Sequence, residues 1–271
     1  MLRLGRLLLL VSVGLLWAGA NGIIIRHDTG PARYEIRPSQ YPAVFYLERQ
    51  GRRKVCVATV IHRQWAITAA HCAHETTLAN TIENGRRFAV QVGSQTREID
   101  RLIVHPDYNV SPAVDVDLAL VRFREASAIP RPIPLQVENN EFGEVVSLIG
   151  WGFFGLGTTG RQYDDGAMRL AQNRIAVAER RLRIVFDDPR DRSTETLQLE
   201  GMPGLGDSGG PALISSGSGF RLAGIAVGER KDVDFSEETQ GRYGAVAIYE
   251  RISQHIAWIE TIVGSKLPFD S

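Results

Sequence analysis

Three short stretches carry residue types that together can run nucleophilic chemistry. Gly206-Asp207-Ser208-Gly209-Gly210-Pro211 sets a serine among glycines. A serine hydroxyl attacks a carbonyl only when a neighbouring base takes its proton. Flanking glycines let the backbone turn tightly enough for amide N–H groups to converge where negative charge develops. Ile67-Thr68-Ala69-Ala70-His71-Cys72 offers the base, an imidazole behind small residues that leave it free to face a cleft. Asp117-Leu118-Ala119-Leu120 offers an acid at the head of an apolar run. A carboxylate buried there needs a hydrogen-bonding partner, and a histidine N–H serves, fixing the ring's tautomer and stabilising the imidazolium. Asp115 competes for the same role, and the apolar stretch that starts directly after Asp117 favours the latter. Each stretch alone also reads as a turn or a half-buried polar residue.

The elements that must position these groups read as β-structure. Apolar, β-branched runs of strand length recur at Ala43–Leu47, Val57–Ile61, Ala66–Ala70 and Leu118–Phe123, and again at Val145–Ile149, Pro211–Ile214, Leu222–Val227 and Gly244–Tyr249. Gly, Pro, Asn and Asp punctuate them, a pattern of barrels or sandwiches. The helical stretches that parallel βαβ units require are few. The clearest helix spans 253–263, with Ser253 as cap, Ile256, Ile259 and Val263 on one side, and Gly264 ending it. Ile129-Pro130-Arg131-Pro132-Ile133-Pro134 places prolines at alternate positions, which suits an extended linker over 129–136 and excludes a central strand. It divides the chain into halves at about 23–128 and 137–251.

The 271 residues carry 31 basic and 31 acidic side chains with 44% hydrophobic content. That composition excludes a disordered or collagen-like chain and disfavours a nucleic-acid binder. Residues 1–22 predict a secretory signal. Arg3 and Arg6 precede the apolar run Leu7–Trp17, and Ala18-Gly19-Ala20 or Ala20-Asn21-Gly22 fits a cleavage site. The run is short for a membrane span, so no stable insertion is expected once the signal is cut. Export would carry Cys56 and Cys72 to an oxidising compartment where a disulfide persists. A metal site built from Cys56, Cys72, His71 and His74 lacks the usual Cys-x-x-Cys or His-x-x-x-His spacing, and no metal or cofactor is expected.

The order His, Asp, Ser in these contexts resembles the chymotrypsin/trypsin family of serine peptidases. Further matches are Tyr41-Pro42, His105-Pro106-Asp107-Tyr108, Gly150-Trp151-Gly152 and Trp258-Ile259, with Cys56 placed to pair with Cys72; the likeness covers about residues 40–264. The resemblance implies an all-β fold of two packed six-stranded antiparallel barrels with a C-terminal helix, covering a peptidase domain at 23–271. It implies Ser208 as nucleophile, His71 as general base and then acid, Asp117 orienting His71, and the amides of Gly206 and Ser208 as oxyanion hole. Protein or peptide substrates and a secreted monomer follow. The low cysteine count suits a bacterial-type member. A relative that keeps the fold but only binds a partner is the competing reading, disfavoured because all three triad residues are present.

Some positions depart from the family's pattern. Met202, six residues before Ser208, stands where trypsin-like members carry an acid for Arg or Lys. An apolar primary preference follows, with pocket walls at Val227, Gly228, Glu229 and Ala247. Val227 also replaces a serine that usually supports the triad aspartate. In the family a new N-terminal amine pairs with the aspartate before the nucleophile, here Asp207. Ile23, directly after Ala20-Asn21-Gly22, is positioned to supply that amine when the signal is cut. Two other motifs read as turns. Gly155-Leu156-Gly157-Thr158-Thr159-Gly160 matches a dinucleotide fingerprint without its βαβ frame, and Asp187-Asp188-Pro189-Arg190-Asp191 lacks the spacing of a calcium loop.

Overall fold

The computed structural model describes residues 23–217, 219–231, 236 and 239–266; the expected signal at 1–22 lies outside them. The described strands run from β1 (Ile24–Ile25) to β16 (Val246–Arg251). The first barrel is built from β2 (Val44–Gln50), β3 (Arg53–His62), β4 (Trp65–Thr68), β5 (Phe88–Val92), β6 (Gln95–Val104) and β7 (Ala119–Phe123). They pair antiparallel in the order β2-β3-β4-β7-β6-β5, and β2 lies back against β5 so that the sheet curls shut. Phe88, Val90 and Val92 are buried while Ala89 and Gln91 are exposed, the period of two expected of a one-faced strand. Val55–Ile61 is buried at every position, because β3 is covered on its outer face by the second half of the chain.

The second barrel is closed, with β8 (Val145–Gly150), β11 (Arg169–Ala178), β12 (Arg181–Val185), β14 (Pro211–Ser216) and β15 (Gly219–Glu229) joined by β16 in the order β11-β12-β16-β15-β14-β8. One apolar cluster runs through both barrels. It holds Phe45, Ile61, Leu120 and Phe123 of the first with Leu213, Leu222 and Ile225 of the second, so the barrels pack face to face around a shared core. The two-barrel architecture expected from the resemblance is present.

Two expectations need correction. Residues 24–36 do not belong to the first barrel. β1 joins a small sheet with β9 (Phe154–Leu156), β10 (Gly160–Tyr163) and β13 (Gly201–Met202), while Ile36 N–H and Leu170 N–H exchange bonds of 3.0 and 2.9 Å with Met168 and Tyr34 carbonyls. The run Ile23-Ile24-Ile25 is fully apolar and finds its burial in the second half, against Phe154, Ala171 and Met202. Ser253 does not cap the final helix. That helix is Ile256–Val263 with His255 at its N-cap, and Ser253 Oγ instead donates to Glu141 Oε1 at 2.6 Å. Gly264 ends it in the left-handed region at φ 75°, as expected of a C-cap glycine. The proline-rich segment is tied to both barrels, Ile133 N–H donating to Val60 O at 2.9 Å and Leu222 N–H to Pro134 O at 2.8 Å. The Gly155–Gly160 run is the turn of the antiparallel β9–β10 hairpin, so no helix opens there to receive a pyrophosphate. Among the described residues no helix is long and apolar enough to cross a membrane.

Candidate active site

His71 stands between the end of β4 and a short helix α1 (Cys72–Glu75), which the sequence reading missed. The strand is pinned there by Thr68, whose hydroxyl donates to Val57 O at 2.7 Å. Asp117 sits just before β7 and is almost wholly buried. Its two oxygens are both engaged by one residue: His71 N–H donates to Oδ1 at 2.9 Å and His71 Nδ1 lies 2.5 Å from Oδ2. An ionised carboxylate only accepts, so Nδ1 carries the proton and Nε2 remains the free, basic nitrogen. Burial lowers the affinity of His71 for a second proton, but the Asp117 bond and charge outweigh it and raise its pKa above the ordinary value. Asp115 takes a different part, accepting from Asn109 N–H at 2.8 Å and pairing with Arg181 at 3.1 Å.

Ser208 lies in the loop between β13 and β14, pressed against the first barrel. Gly206 and Gly209 have φ of 98° and 79°, which only glycine adopts freely. A Cβ on Gly209 would lie 2.1 Å from Val57 O, so no side chain fits. The loop's carbonyls turn toward the first barrel: Cys56 N–H donates to Gly206 O at 3.0 Å and Val57 N–H to Ser208 O at 2.7 Å. Among the described residues, the amide N–H groups of Gly206 and Ser208 donate to no protein acceptor. Two unused donors beside a serine are what an oxyanion requires. His71, Asp117 and Ser208 line one cleft of about 470 Å³.

Cys56 and Cys72 form a disulfide that ties β3 to α1 beside His71. His71 and both sulfurs come within 4.8 Å of one another, but sulfurs joined in a disulfide are not thiolate ligands, so the trio is no metal site. Replacing both cysteines by alanine is expected to lower stability by about 3 kcal/mol, the loop-closure value for so short a loop. Urea unfolding of that variant beside the parent checks this.

The expected pocket residues divide into two groups. Val227, Gly228 and Glu229 line the cleft with Ala226, Leu205 and Gln240. Met202 and Ala247 do not; both are buried in the second barrel's core, where Met202 pairs with Ile24 of β1. Insertion of β1 over β13 is what covers Met202. Glu229 reaches instead to Gly241 N–H at 3.0 Å, and burial lifts its pKa to about 7. Glu75 and Arg161, which no motif pointed to, also line the cleft, as does Tyr108 of the His105–Tyr108 match.

Asp207 is fully buried beneath the nucleophile loop. Gly152 and Gly204 N–H groups donate to it at 2.6 and 2.9 Å, and a Cβ on Gly150 would strike its carboxylate at 1.9 Å. Among the described residues no cation pairs with it, and burial raises its pKa to about 6. Ile23 is buried, packed with Phe154, Ala171 and Tyr34, and its φ of 67° is costly for a β-branched residue.

Comparison with known proteins agrees with this geometry. The Trypsin family model matches residues 31–259. Human kallikrein-8 is 26% identical over 272 residues, covering 95% of this chain and 94% of its own. Mouse serine protease 28 is 25% identical over 273 residues, covering 92% of each. The structure of neuropsin, a serine protease expressed in the limbic system of mouse brain, superposes with a TM-score of 0.61 at 20% identity, covering 85% of this chain and 98% of that one. With a match across most of its length, the chain belongs to the Trypsin family, as a serine endopeptidase.

Proposed function

We propose that this endopeptidase works outside the cytoplasm on protein or peptide substrates, as a monomer and without a cofactor, through Ser208, His71 and Asp117. The observation that carries the reading is the His71–Asp117 pair sharing a cleft with Ser208 and its two unused amides. His71 Nε2 takes the Ser208 proton as Oγ attacks the peptide carbonyl. The amides of Gly206 and Ser208 receive the negative oxygen, and Asp117 steadies the imidazolium. His71 then protonates the departing amine. Water, deprotonated by the same nitrogen, releases the acyl group.

The apolar cleft walls at Leu205, Ala226 and Val227 favour an apolar side chain next to the scissile bond. Fluorogenic peptides that differ only at that residue are expected to rank Leu, Met or Phe above Arg by about 10-fold or more in kcat/KM, a range that pocket contacts supply. A preference for Arg would overturn the apolar assignment and point to Glu229.

Activation follows from Ile23 and Asp207. A signal cut after Gly22 exposes the Ile23 amine, which becomes the partner that Asp207 lacks. The same cut removes the peptide bond that holds Ile23 at a strained φ. Treatment of the secreted protein with a fluorophosphonate tests the central reading. One adduct on Ser208, absent in His71→Ala, is expected; a folded protein beginning at Ile23 that takes no label would return the reading to a binding protein.

A further inference from the structure

Asp117 is held from behind by a buried ion network that spans the two barrels, and we propose that Glu250 and Arg181 are positioning residues for this triad aspartate. The proposal rests on the peptidase reading above. Both oxygens of Asp117 are occupied by His71, and Val227 brings no hydroxyl to the carboxylate. The direction of the side chain is therefore set by its backbone, and the second barrel grips that backbone at two points. Asp117 N–H donates to Glu250 Oε1 at 3.1 Å. Two residues earlier, Asp115 O accepts from Arg181 Nη2 at 2.9 Å and from Arg180 Nη1 at 2.5 Å, and Arg181 also pairs with the Asp115 carboxylate.

Register explains how the grip is built. Arg181 on β12 is directly opposite Glu250 on β16, and the two form an ion pair across the strands. Glu250 has no exposure to solvent. A carboxylate that deep needs a cation, and Arg181 is placed to hold its charge while reaching Asp115. His255 Nε2 lies 3.9 Å from the other Glu250 oxygen, with the His105 ring 5.2 Å away between centroids. Burial drives His255 down to about 4, so it is neutral where the enzyme works and Arg181 is the cation that serves Glu250. Among the described residues, Arg180 and Asp107 also act on His255, Glu75 acts on His71, and Tyr108 faces the charges of Asp117 and Asp115.

A shared network from the opposite barrel makes the placement of Asp117 depend on how the barrels dock. When the network is removed, the Asp117 segment loosens and His71 is held less well. The loss falls on proton transfer rather than on substrate binding.

Two variants test this on enzyme whose working sites are counted with fluorophosphonate. The pair Arg181→Met with Glu250→Leu replaces the buried ions by apolar groups and leaves the partly exposed Asp115 carboxylate with Asn109 N–H as its donor. It is expected to lose about 10- to 100-fold in kcat per titrated site with KM within about 2-fold, as for misplacement of a catalytic group. The acid limb of its kcat/KM profile should move to lower pH, because His71 loses part of the support for its charged form. Glu250→Gln keeps an acceptor for Asp117 N–H and is expected to lose only about 3- to 10-fold, with a smaller shift of the same sign. If the double variant does not fold, Glu250→Gln decides: an unchanged kcat and acid limb overturn the proposal. A double variant with fewer titratable sites but wild-type kcat per site and an unmoved acid limb would show a merely structural network and overturn it too. Parent enzyme that takes no label overturns the peptidase reading, and this proposal with it.

Discussion

Exchange of Ser208 for alanine is expected to lower kcat by about 10⁶-fold while leaving the fold and substrate binding nearly intact. The expectation follows from the division of labour in the cleft. Ser208 supplies the hydroxyl beside the two unused amides, in the same cleft as His71, and alanine has no group that can attack the carbonyl. The double exchange Ser208→Ala with His71→Ala should cost little more than either alone, since each is useless without the other. Asp117→Asn is the more informative partner. It preserves shape, but the amide can offer N–H where His71 Nδ1–H needs an acceptor, which forces the wrong tautomer; about 10⁴-fold of kcat should go. The pH profile should change as well. Asp117 raises the His71 pKa in the folded enzyme against the opposing effect of burial. The basic form that attacks is thus present only above a raised pKa, and the acid limb should move down when the carboxylate charge is removed. Steady-state kinetics normalised to protein concentration, with circular dichroism to confirm folding, measure all three. Wild-type activity in Asp117→Asn would end the triad assignment.

A chain that begins at Ile23 should be active, whereas one that keeps Asn21-Gly22 should lose about 10²- to 10⁴-fold, as should Asp207→Asn in a chain cut at Ile23. The magnitude is that of a buried charge left without its partner, about 3–5 kcal/mol. Asp207 without a cation has a pKa of about 6, against 3.8 for the ordinary residue. A carboxyl whose folded pKa lies above its unfolded value loses stability as pH rises between the two. The uncut chain should therefore be less stable at pH 7 than at pH 4 by this group's contribution. In the chain cut at Ile23 the amine offsets the cost, and that pH dependence should vanish. Thermal unfolding of both forms across this pH range, with activity assays at pH 8, separates the cases. Mature protein that begins at Asn21 with full activity would sink the assignment.

Much of this was readable from local residue order because the catalytic groups sit in motifs whose backbone demands are themselves local. Gly206 and Gly209 must adopt positive φ, Thr68 must bond back to Val57, and Asp117 must open a buried strand; each requirement shows as a residue type at a fixed offset. Strand-length runs and a proline break pointed to a β-rich chain in two halves, and the family resemblance implied the two barrels. What remained hidden depends on contacts between segments far apart in the chain. Ile23-Ile24-Ile25 reads as the start of the first half, yet apolar burial draws it into a sheet with residues 154–156 and 201–202, and in doing so covers Met202. Ser253 has the right type and place for a helix cap, but Glu141, 112 residues away, is the better acceptor. Glu250 looks like an ordinary strand-end charge, and only the register of β12 against β16 brings Arg181 to it and Asp117 above it. Residue types and near spacing determine which chemistry the chain can perform, since the bonds they make are short-range in sequence. Tertiary structure alone decides which groups support that chemistry and which side chains reach the cleft, because both depend on how the two barrels pack together.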